Sequence, residues 1–324
     1  MPHAILVRRT GGPEVLEYGE IDPPSPHPGE LLVDVAAAGV NFIDTYMRDG
    51  MYPRDLPFVP GQEGAGTVVA AGGEVTSFAP GDRVAWMGGP ASYAEQVLIN
   101  ADTAVRIPDG IDDETAAAAL LQGVTAHYLV VSTYPVRPGD DVLIHAAAGG
   151  TGSMIVQFAK AKGARVIATV STVDKEKRAR EAGADDVIRY TEVDFTEETR
   201  RLTNGKGVEV VYDGVGRTTF DGSLASLTRR GMLVLFGAAS GAVPPVDPQR
   251  LRAAGSVYLT RPTTAHYADT SEELRWRAGE VFDALDSGAL SVRIGGRYPL
   301  ADAARAHEDL QSRRTTGKLL LIPG

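Results

Sequence analysis

Cysteine is absent from the chain of 324 residues. Its absence excludes disulfide bonds, cysteine nucleophiles and zinc sites that use thiolate ligands. The histidines show no spacing typical of metal ligands, so each is interpreted as a packing or surface residue: His3, His27, His127, His145, His266 and His307. The sequence therefore predicts a protein without a bound metal.

Long apolar runs and an excess of positive charge are missing as well. No apolar run reaches the roughly 18 residues that a membrane span needs, and the N-terminal segment MPHAILVRRT lacks the apolar stretch of a signal peptide. The net charge is −10, whereas binding to duplex nucleic acid needs a positive surface. We therefore expect a cytoplasmic protein, with neither a membrane nor nucleic acid as its partner, although a local basic cleft remains compatible with the sequence.

Short apolar segments separated by Pro-Gly and Gly-Gly pairs fill about the first 120 residues. The predicted strands are residues 4–8, 30–36, 66–70, 83–87 and 94–99. Many short strands joined by tight turns indicate a barrel-like β domain.

Strands and helices alternate in a regular order from residue 141 onward. The predicted strands are residues 142–146, 166–170, 187–190, 208–212, 232–237 and 256–260, and the predicted helices between them are 151–162, 174–182 and 195–203. This alternation predicts right-handed βαβ units and a doubly wound parallel sheet, the Rossmann type of α/β fold.

The C-terminal segment changes composition again. Two amphipathic helices, 272–287 and 300–313, precede a final strand, 319–322. We expect this segment to pack on the N-terminal β domain. The predicted domains are then 1–122 with 264–324, and an inserted nucleotide-binding domain, 123–263.

The strongest motif is the segment HAAAGGTG at residues 145–152. Ala147, Gly149 and Gly152 occupy the three positions of the G-x-G-x-x-G pattern, between a predicted strand and a predicted helix. Small residues let backbone N–H groups approach a diphosphate at the positive end of the helix. The sequence therefore predicts that this loop, with Gly150 and Thr151, binds a dinucleotide; a glycine-rich turn without a ligand is the alternative.

The end of the second predicted strand bears on the choice between NADPH and NADH. An NAD site usually has an acidic residue there for the ribose 2′-hydroxyl, but this strand ends at Val170 and Ser171. Ser171 and Lys175 suit a 2′-phosphate, which binds hydroxyl donors and cations. NADPH is therefore favoured, while Asp174 keeps NADH open and ordinary solvated helix charges remain the alternative interpretation.

Several stretches, in a consistent order along nearly the whole chain, carry a resemblance. They are GGPEVL at 11–16, GVNFIDTY at 39–46, the loop 146–152, VYDGVG at 211–216, TRP at 260–262 and GKL at 317–319. Together they resemble the zinc-free quinone oxidoreductases, the zeta-crystallin-like branch of the medium-chain dehydrogenase/reductase superfamily. The resemblance implies a GroES-like catalytic domain, a Rossmann domain and an enzyme that reduces quinones with NADPH.

The zinc enzymes of this superfamily carry cysteine, histidine and a further cysteine or acid at three positions. At the matching positions this sequence has Asn41, Gln62 and Gln122. A neutral carboxamide is a poor zinc ligand. The resemblance therefore implies a metal-free reaction, and a zinc alcohol dehydrogenase is nearly excluded.

The resemblance also implies the residues of the catalytic site, where orientation and hydrogen-bond donors for a developing oxyanion are needed. The candidates are Asn41, Tyr46, Arg48, Tyr52 and Gln62. Asn41 and Tyr46 are preferred, because Tyr52 is equally well interpreted as a core aromatic and Arg48 as a surface charge.

Further coenzyme contacts follow from the same resemblance. Thr125 is expected near the nicotinamide ribose, Tyr190 near the adenosine, and Phe236 with Gly237 beside the nicotinamide. Lys318 is expected to reach across the cleft from the C-terminal segment. Packing is the alternative for each.

The strand 256–260 is predicted to lie at a sheet edge, which needs covering. In the family this strand pairs with its two-fold mate, so the resemblance implies a homodimer. Two other functions remain open. One is an NADPH-dependent alkenal or enoyl reductase on the same scaffold; the other is a nucleotide-binding protein with a structural or RNA-binding role, which the negative charge and the intact loop disfavour.

Overall fold

The structure, a computed structural model, describes residues 1–89, 91–312 and 314–324. Its strands are β1 (His3–Val7), β2 (Leu16–Glu20), β3 (Glu30–Val40), β4 (Glu63–Ala71), β5 (Arg83–Met87), β6 (Gln96–Asn100), β7 (Ala104–Arg106), β8 (Asp141–Ile144), β9 (Arg165–Val170), β10 (Asp186–Arg189), β11 (Val208–Asp213), β12 (Leu227–Leu235), β13 (Tyr258–Thr260), β14 (Ile294–Pro299) and β15 (Lys318–Ile322). Its α-helices are α1 (Phe42–Arg48), α2 (Asp113–Tyr128), α3 (Gly150–Ala161), α4 (Val173–Glu181), α5 (Phe195–Leu202), α6 (Phe220–Ser226), α7 (Pro248–Ala253), α8 (Ser271–Asp286) and α9 (Ala303–Gln311).

The chain divides into two compact units, Met1–Val124 with Ala268–Gly324, and Thr125–Tyr267. The second unit is therefore inserted between two segments of the first. The boundaries predicted from the sequence fall after residues 122 and 263, close to these divisions.

The first unit is built on a seven-stranded sheet in the order β14-β15-β3-β4-β5-β7, with β6 paired to β3. The long strand β3 is central because it pairs with β4, β6 and β15. Its apolar side chains enter a core that also holds Trp86, Ile99, Leu319 and Leu321. The C-terminal strand β15 thus completes the sheet of the N-terminal segment.

The second unit is a six-stranded sheet in the order β10-β9-β8-β11-β12-β13, and each pair of neighbours is parallel. Val142, Leu143 and Ile144 of β8 are fully buried, as expected for a parallel strand covered on both faces. The strand order reverses direction between β8 and β11. Ligands of doubly wound sheets bind at the carboxyl ends of the strands at such a switch point, which directs attention to the loop after β8.

Some elements differ from the sequence-based predictions. The predicted strand 256–260 is shortened to β13, because Ser256 has a left-handed φ of 56° that interrupts extended pairing. The predicted helix 300–313 begins with a 3₁₀ turn at Leu300–Asp302 and continues as α9. The predicted end of this helix, Arg313, lies outside the described residues.

Helix α2 was missed by the sequence analysis. It contains the run AAAALL, and Ala116 to Leu120 are fully buried, so the helix shows none of the alternating apolar and polar faces from which helices are predicted. Helix α2 and the π-helical turn that follows it span Asp113–Thr133. By length and composition alone this segment could cross a membrane, but 67% of its apolar stretch is buried inside the protein. A buried core helix explains this composition.

Candidate functional site

The loop after β8 begins the dinucleotide motif. Gly149 is the N-cap of α3, and none of the described side chains caps this helix, so the amides of its first turn remain available to a ligand. A Cβ on Gly152 would overlap with the carbonyl oxygen of Ala146, and one on Gly149 would lie only 3.1 Å from the same oxygen. Small residues are therefore required for the loop to close against the helix, which fits a diphosphate held by backbone amides.

The ends of β9 and β10 hold the residues proposed for the adenosine side. Ser171 is half-buried, and its carbonyl oxygen accepts a hydrogen bond from Thr191 Oγ1 at 3.0 Å. Thr172 caps α4 by accepting from the backbone amide of Lys175 at 3.3 Å. Tyr190 is 45% exposed. Nearby on α4, Arg178 Nη1 lies 2.9 Å from Glu181 Oε2, so the charge of Arg178 is balanced in an ion pair at the surface.

The remaining expected coenzyme residues of the second unit are Phe236 and Gly237, at the end of a strand, and Thr125, in α2. Phe236 and Gly237 follow β12 and pack on the loop after β11, where a Cβ on Gly237 would overlap with the carbonyl oxygen of Gly214. Thr125 Oγ1 lies 3.5 Å from Thr264 Oγ1. The phenylalanine and the glycine therefore border the carboxyl edge of the sheet.

A buried polar cluster in the first unit contains Asn41, Glu63 and Lys318. The Lys318 ammonium forms an ion pair with Glu63, and both side chains are fully buried. Lys318 Nζ also donates to Asn41 Oδ1 at 2.7 Å, while Asn41 Nδ2 donates to Glu63 Oε1 at 2.7 Å. An ammonium only donates and a carboxylate only accepts, so the orientation of the Asn41 carboxamide is forced.

The orientation of the Asn41 carboxamide changes the role expected for this residue. Both N–H groups of Asn41 are engaged, since Nδ2 also lies 3.4 Å from the Gly39 carbonyl oxygen, so Asn41 presents mainly an acceptor to a ligand rather than a donor to an oxyanion.

Lys318 was expected to reach across a cleft to the coenzyme. Its ammonium is instead held by Glu63 and Asn41, and its side chain is fully buried. Gly39 provides the space, because a Cβ there would lie 2.6 Å from Lys318 Cε.

Zinc does not fit this cluster. Gln62 directly precedes Glu63, and Leu121, which precedes Gln122, donates its amide to Glu63 Oε2 at 2.9 Å. The three positions that hold zinc ligands in metal-dependent relatives carry carboxamides in this chain. Of these, Asn41 is hydrogen-bonded to Glu63, whose charge Lys318 already balances. Among the described residues, no group of three or more His, Asp or Glu side chains could hold a metal ion.

Arg48 is buried, and its guanidinium is hydrogen-bonded within the first unit. It is 2% exposed, so the alternative interpretation as a surface charge is wrong. Its Nε donates to the Gly11 carbonyl oxygen at 3.1 Å, and its Nη1 lies 3.1 Å from His307 Nδ1 and 3.2 Å from Gln311 Oε1. These contacts use its donors to join α1 to α9, which favours a packing role over the expected catalytic one.

The His307 contact starts a chain of hydrogen bonds. Because Arg48 donates to Nδ1, the ring carries its proton on Nε2 and donates to Tyr93 Oη at 3.1 Å. Tyr93 in turn donates to Asp44 Oδ2 at 3.0 Å, and the same oxygen accepts from the amide of Asn41 at 2.8 Å. Burial, together with the nearby Arg48, lowers the pKa of His307 to about 3, so the ring is neutral.

Asp44 is expected to make the stability of the protein pH-dependent. Burial raises its pKa from 3.8 to about 7, although the Asn41 amide and Lys318 oppose the shift. Because the folded-state pKa is the higher one, this carboxyl stabilises the fold fully below about pH 4, and the contribution is lost as the pH rises through 7. Between pH 6.5 and 8 the contribution of Asp44 to the free energy of unfolding should fall by on the order of 1 kcal/mol, measured by urea denaturation as the difference between the wild-type protein and Asp44→Asn.

Asp44→Asn removes this titration, so the free energy of unfolding of the wild-type protein should fall relative to that of the variant as the pH rises. His307 and His145, whose pKa values are lowered in the folded chain, act with the opposite sign in part of this window, but they contribute equally to both proteins, so the difference between the wild-type protein and the variant isolates Asp44. An unchanged slope in Asp44→Asn would contradict the assignment.

Tyr46 and Tyr52 form an aromatic pair next to this chain. Their ring centroids lie 5.4 Å apart in an edge-to-face arrangement, and the Tyr52 amide donates to the Tyr46 carbonyl oxygen at 2.9 Å. Tyr46 is 9% exposed. Helix α1 therefore brings Tyr46 into the same part of the first unit as Asn41, while Tyr52 packs on its ring.

Sequence reasoning missed Asp44 as a buried hydrogen-bond acceptor and Glu63 as the residue around which the amides assemble. Glu63 had a signal, since it directly follows Gln62, which stands at the histidine position of the zinc enzymes. Asp44 accepts hydrogen bonds from the backbone amide of Asn41 and from the Tyr93 hydroxyl, and no local pattern links it to Tyr93.

The fold and the loop together define a class, the two-domain nicotinamide-dependent oxidoreductases. The family described as alcohol dehydrogenase GroES-like domain matches residues 27–138, and the family described as zinc-binding dehydrogenase matches 150–276. The predicted α/β fold with a Rossmann sheet and a GroES-like domain is thereby confirmed.

Individual relatives narrow the class. The chain is 48% identical to a quinone oxidoreductase of Pseudomonas aeruginosa over 97% of both chains, and 40% identical to a 2-haloacrylate reductase of Burkholderia, covering 100% of this chain and 99% of that one. Among solved structures, a mycobacterial protein complexed with NADPH is 56% identical with a TM-score of 0.97, covering 99% of this chain and 100% of that one. The quinone oxidoreductase of Escherichia coli complexed with NADPH is 45% identical, with the same TM-score and the same coverage.

The chain therefore belongs to the quinone oxidoreductase family of the medium-chain dehydrogenase/reductase superfamily, as the sequence resemblance indicated. It is an oxidoreductase.

Proposed function

We propose that the protein is an NADPH-dependent quinone reductase that works without a metal ion. The observation that carries the proposal is the loop 146–152, which closes on an uncapped helix start where a Cβ on Gly152 would not fit. Quinone oxidoreductases and relatives complexed with NADPH support the choice of substrate and coenzyme.

Bound NADPH supplies the hydride. We propose that the loop residues Ala147, Gly149, Gly150, Thr151 and Gly152 hold the diphosphate through backbone amides at the positive end of α3. The protein's own contribution to the reaction is then orientation of the coenzyme and of the quinone.

On the adenosine side, we propose that Ser171 and Lys175 bind the 2′-phosphate and that Tyr190 borders the adenosine. Thr125, Phe236 and Gly237 are proposed for the nicotinamide side. Phe236 and Gly237 follow β12 at the carboxyl edge of the sheet.

For the quinone, we propose Tyr46 as the hydrogen-bond donor, with Tyr52 and Gln62 as further contacts. An oxidised quinone offers only acceptor oxygens, whereas both amide hydrogens of Asn41 are already engaged. Asn41 therefore suits a ligand that donates, such as a hydroxyl or amide group of the coenzyme.

A second candidate function is the reduction of an activated alkene, which the relationship to a 2-haloacrylate reductase favours. The test is a substrate panel with NADPH: 1,4-benzoquinone and 9,10-phenanthrenequinone against 2-alkenals and 2-haloacrylate. Faster turnover of the alkenes would reverse the order of the two functions. Absence of NADPH binding in a fluorescence titration would overturn both.

The preference for NADPH has a direct test in Lys175→Ala. Loss of one cation beside a phosphate should raise the dissociation constant of NADPH by about 10-fold, whereas the constant for NADH, which lacks the 2′-phosphate, should stay within about 2-fold. Fluorescence titration with both coenzymes measures the difference. Lys177→Ala, an exposed lysine on the same helix, is the matched control, and equal weakening of NADPH and NADH would count against the 2′-phosphate assignment.

We also propose that the protein forms a homodimer through β13. This strand is one of the two edges of the parallel sheet, and Tyr258 on it is 57% exposed. Pairing of two such edges would cover both. Sedimentation should give a mass twice that of the chain, and a monomer at micromolar concentration would refute the proposal.

A further inference from the structure

Ala146, at the start of the coenzyme loop, has a left-handed backbone conformation with a φ of 52°. Residues with a Cβ rarely adopt this conformation, and it persists where surrounding contacts over-determine it. The conformation of Ala146 affects the loop and the start of α3. The Ala146 carbonyl oxygen accepts from the Gly149 amide at 2.9 Å and lies where a Cβ on Gly152 would overlap with it, so the conformation of Ala146 sets how the loop meets α3.

Both neighbours of Ala146 are held by the same residue of β9. The Thr169 carbonyl oxygen accepts from the Ala147 amide at 3.3 Å, and the Thr169 hydroxyl lies 2.8 Å from His145 Nδ1. Thr169 is 1% exposed and His145 is 2% exposed. The left-handed residue is therefore fixed on each side by buried hydrogen bonds to one threonine.

The Asp213 carboxylate sets which atom donates and which accepts in the hydrogen bonds of His145. Asp213, at the end of β11, only accepts, and Ser223 Oγ donates to its Oδ2 at 2.8 Å. Ser223 Oγ lies 3.0 Å from His145 Nε2 and must accept from it, because its own proton is used. His145 is thereby protonated on Nε2, and its Nδ1 accepts from Thr169.

Electrostatics agree with this direction. Burial lowers the pKa of His145, although the nearby Asp213 opposes the shift, so the ring is neutral and Nδ1 is free to accept. The serine, histidine and aspartate do not form a nucleophilic triad, because the Ser223 proton is directed to Asp213 and not to the imidazole, and Ser223 is fully buried.

We propose that Asp213, Ser223, His145 and Thr169, here called the His145 chain, are positioning residues that hold Ala146 in its left-handed conformation and so shape the loop that binds the diphosphate of NADPH. The proposal deepens the proposed function and rests on it. The chain ties the loop after β8 to the strand β9, the helix α6 and the end of β11.

The experiment is a double-mutant cycle in the full-length protein, with fluorescence titration of NADPH. Thr169→Val removes the hydroxyl but keeps the carbonyl, and it should raise the dissociation constant about 3- to 10-fold through the lost hydrogen bond. Ala146→Gly adopts the left-handed conformation without the chain. Adding Thr169→Val to Ala146→Gly should therefore change the constant by less than about 2-fold.

Thr199→Val is the matched control. Thr199 lies in the same unit, is fully buried, and its hydroxyl has no hydrogen-bond partner among the described residues, so the same substitution should leave NADPH binding unchanged. Ser223→Ala is a second variant, which removes the acceptor of His145 Nε2, and Ala146→Gly should rescue it too. Hydrogen exchange of residues 146–152 without coenzyme should be faster in Thr169→Val than in Thr199→Val.

Two results would overturn the inference. One is wild-type affinity in both Thr169→Val and Ser223→Ala; the other is a loss of affinity that Ala146→Gly does not rescue, which would mean that the chain acts on general stability. Either result leaves the proposed function intact if the wild-type protein binds NADPH and reduces a quinone. Failure of the wild-type protein to bind NADPH would instead remove the proposed function and this inference with it.

Discussion

Gly152→Val should raise the dissociation constant of NADPH by about 10- to 100-fold, because overpacking of a tight contact costs about 1–3 kcal/mol. A Cβ at this position would overlap with the carbonyl oxygen of Ala146 and lie 3.0 Å from the Ala147 Cα. These are backbone atoms, so a side-chain rotation cannot relieve the overlap. The start of α3 and the loop must move apart, and the amides proposed to bind the diphosphate move with them.

Gly279→Val is the control for this substitution. Gly279 lies within α8, and a Cβ there would meet no atom within 4 Å other than those of its chain neighbours and its own helix backbone, so the variant should bind NADPH as the wild-type protein does. Fluorescence titration and a thermal melt of each variant separate lost affinity from lost stability. Wild-type NADPH affinity in folded Gly152→Val would contradict the proposed role of the loop.

Lys318→Met should lower the free energy of unfolding by about 3–5 kcal/mol, the usual consequence of removing one partner of a buried ion pair. Lys318 and Glu63 are both fully buried, so the variant leaves a carboxylate in the core without its cation. Asn41 would also lose the donor to its Oδ1. Urea denaturation measures the change.

The double variant Lys318→Met with Glu63→Gln should recover most of this loss, since replacing both members of a buried pair by neutral residues is often close to neutral. Lys206→Met is the matched control, because Lys206 forms an ion pair with Glu209 while its side chain is 56% exposed, and exposed pairs contribute about 1 kcal/mol or less. A loss below about 1 kcal/mol in Lys318→Met would show that the pair is not the buried interaction described.

The coenzyme loop was predictable because its determinants are local. Gly149 and Gly152 stand between a continuous apolar run and an amphipathic segment, and both patterns are visible over about ten residues. The strain, however, falls on Ala146 and not on the pattern's first position, Ala147. Its location depends on Thr169 and His145, which no local pattern joins.

The catalytic candidates were harder, because their roles depend on partners distant in sequence. Lys318 and Glu63 are separated by 255 positions, so the sequence could not show that the ammonium is already paired. Arg48 meets His307 only because α9 packs near α1. A charged residue read in isolation looks available for a ligand, whereas burial requires that it be paired within the fold.

The sequence by itself determined the two kinds of sheet, the inserted order of the segments and the small residues of the loop, since each follows from residue type and spacing, and its resemblance to the zinc enzymes' pattern implied carboxamides at the three ligand positions. Only the tertiary structure decided which polar groups already have a partner within the fold. Both amide hydrogens of Asn41 are used, Lys318 and Arg48 are buried with internal partners, and His145 is proposed to support the left-handed Ala146. The physical reason is that a buried polar group must find its partner wherever folding brings one, and hydrogen-bond direction is fixed only when both partners are known.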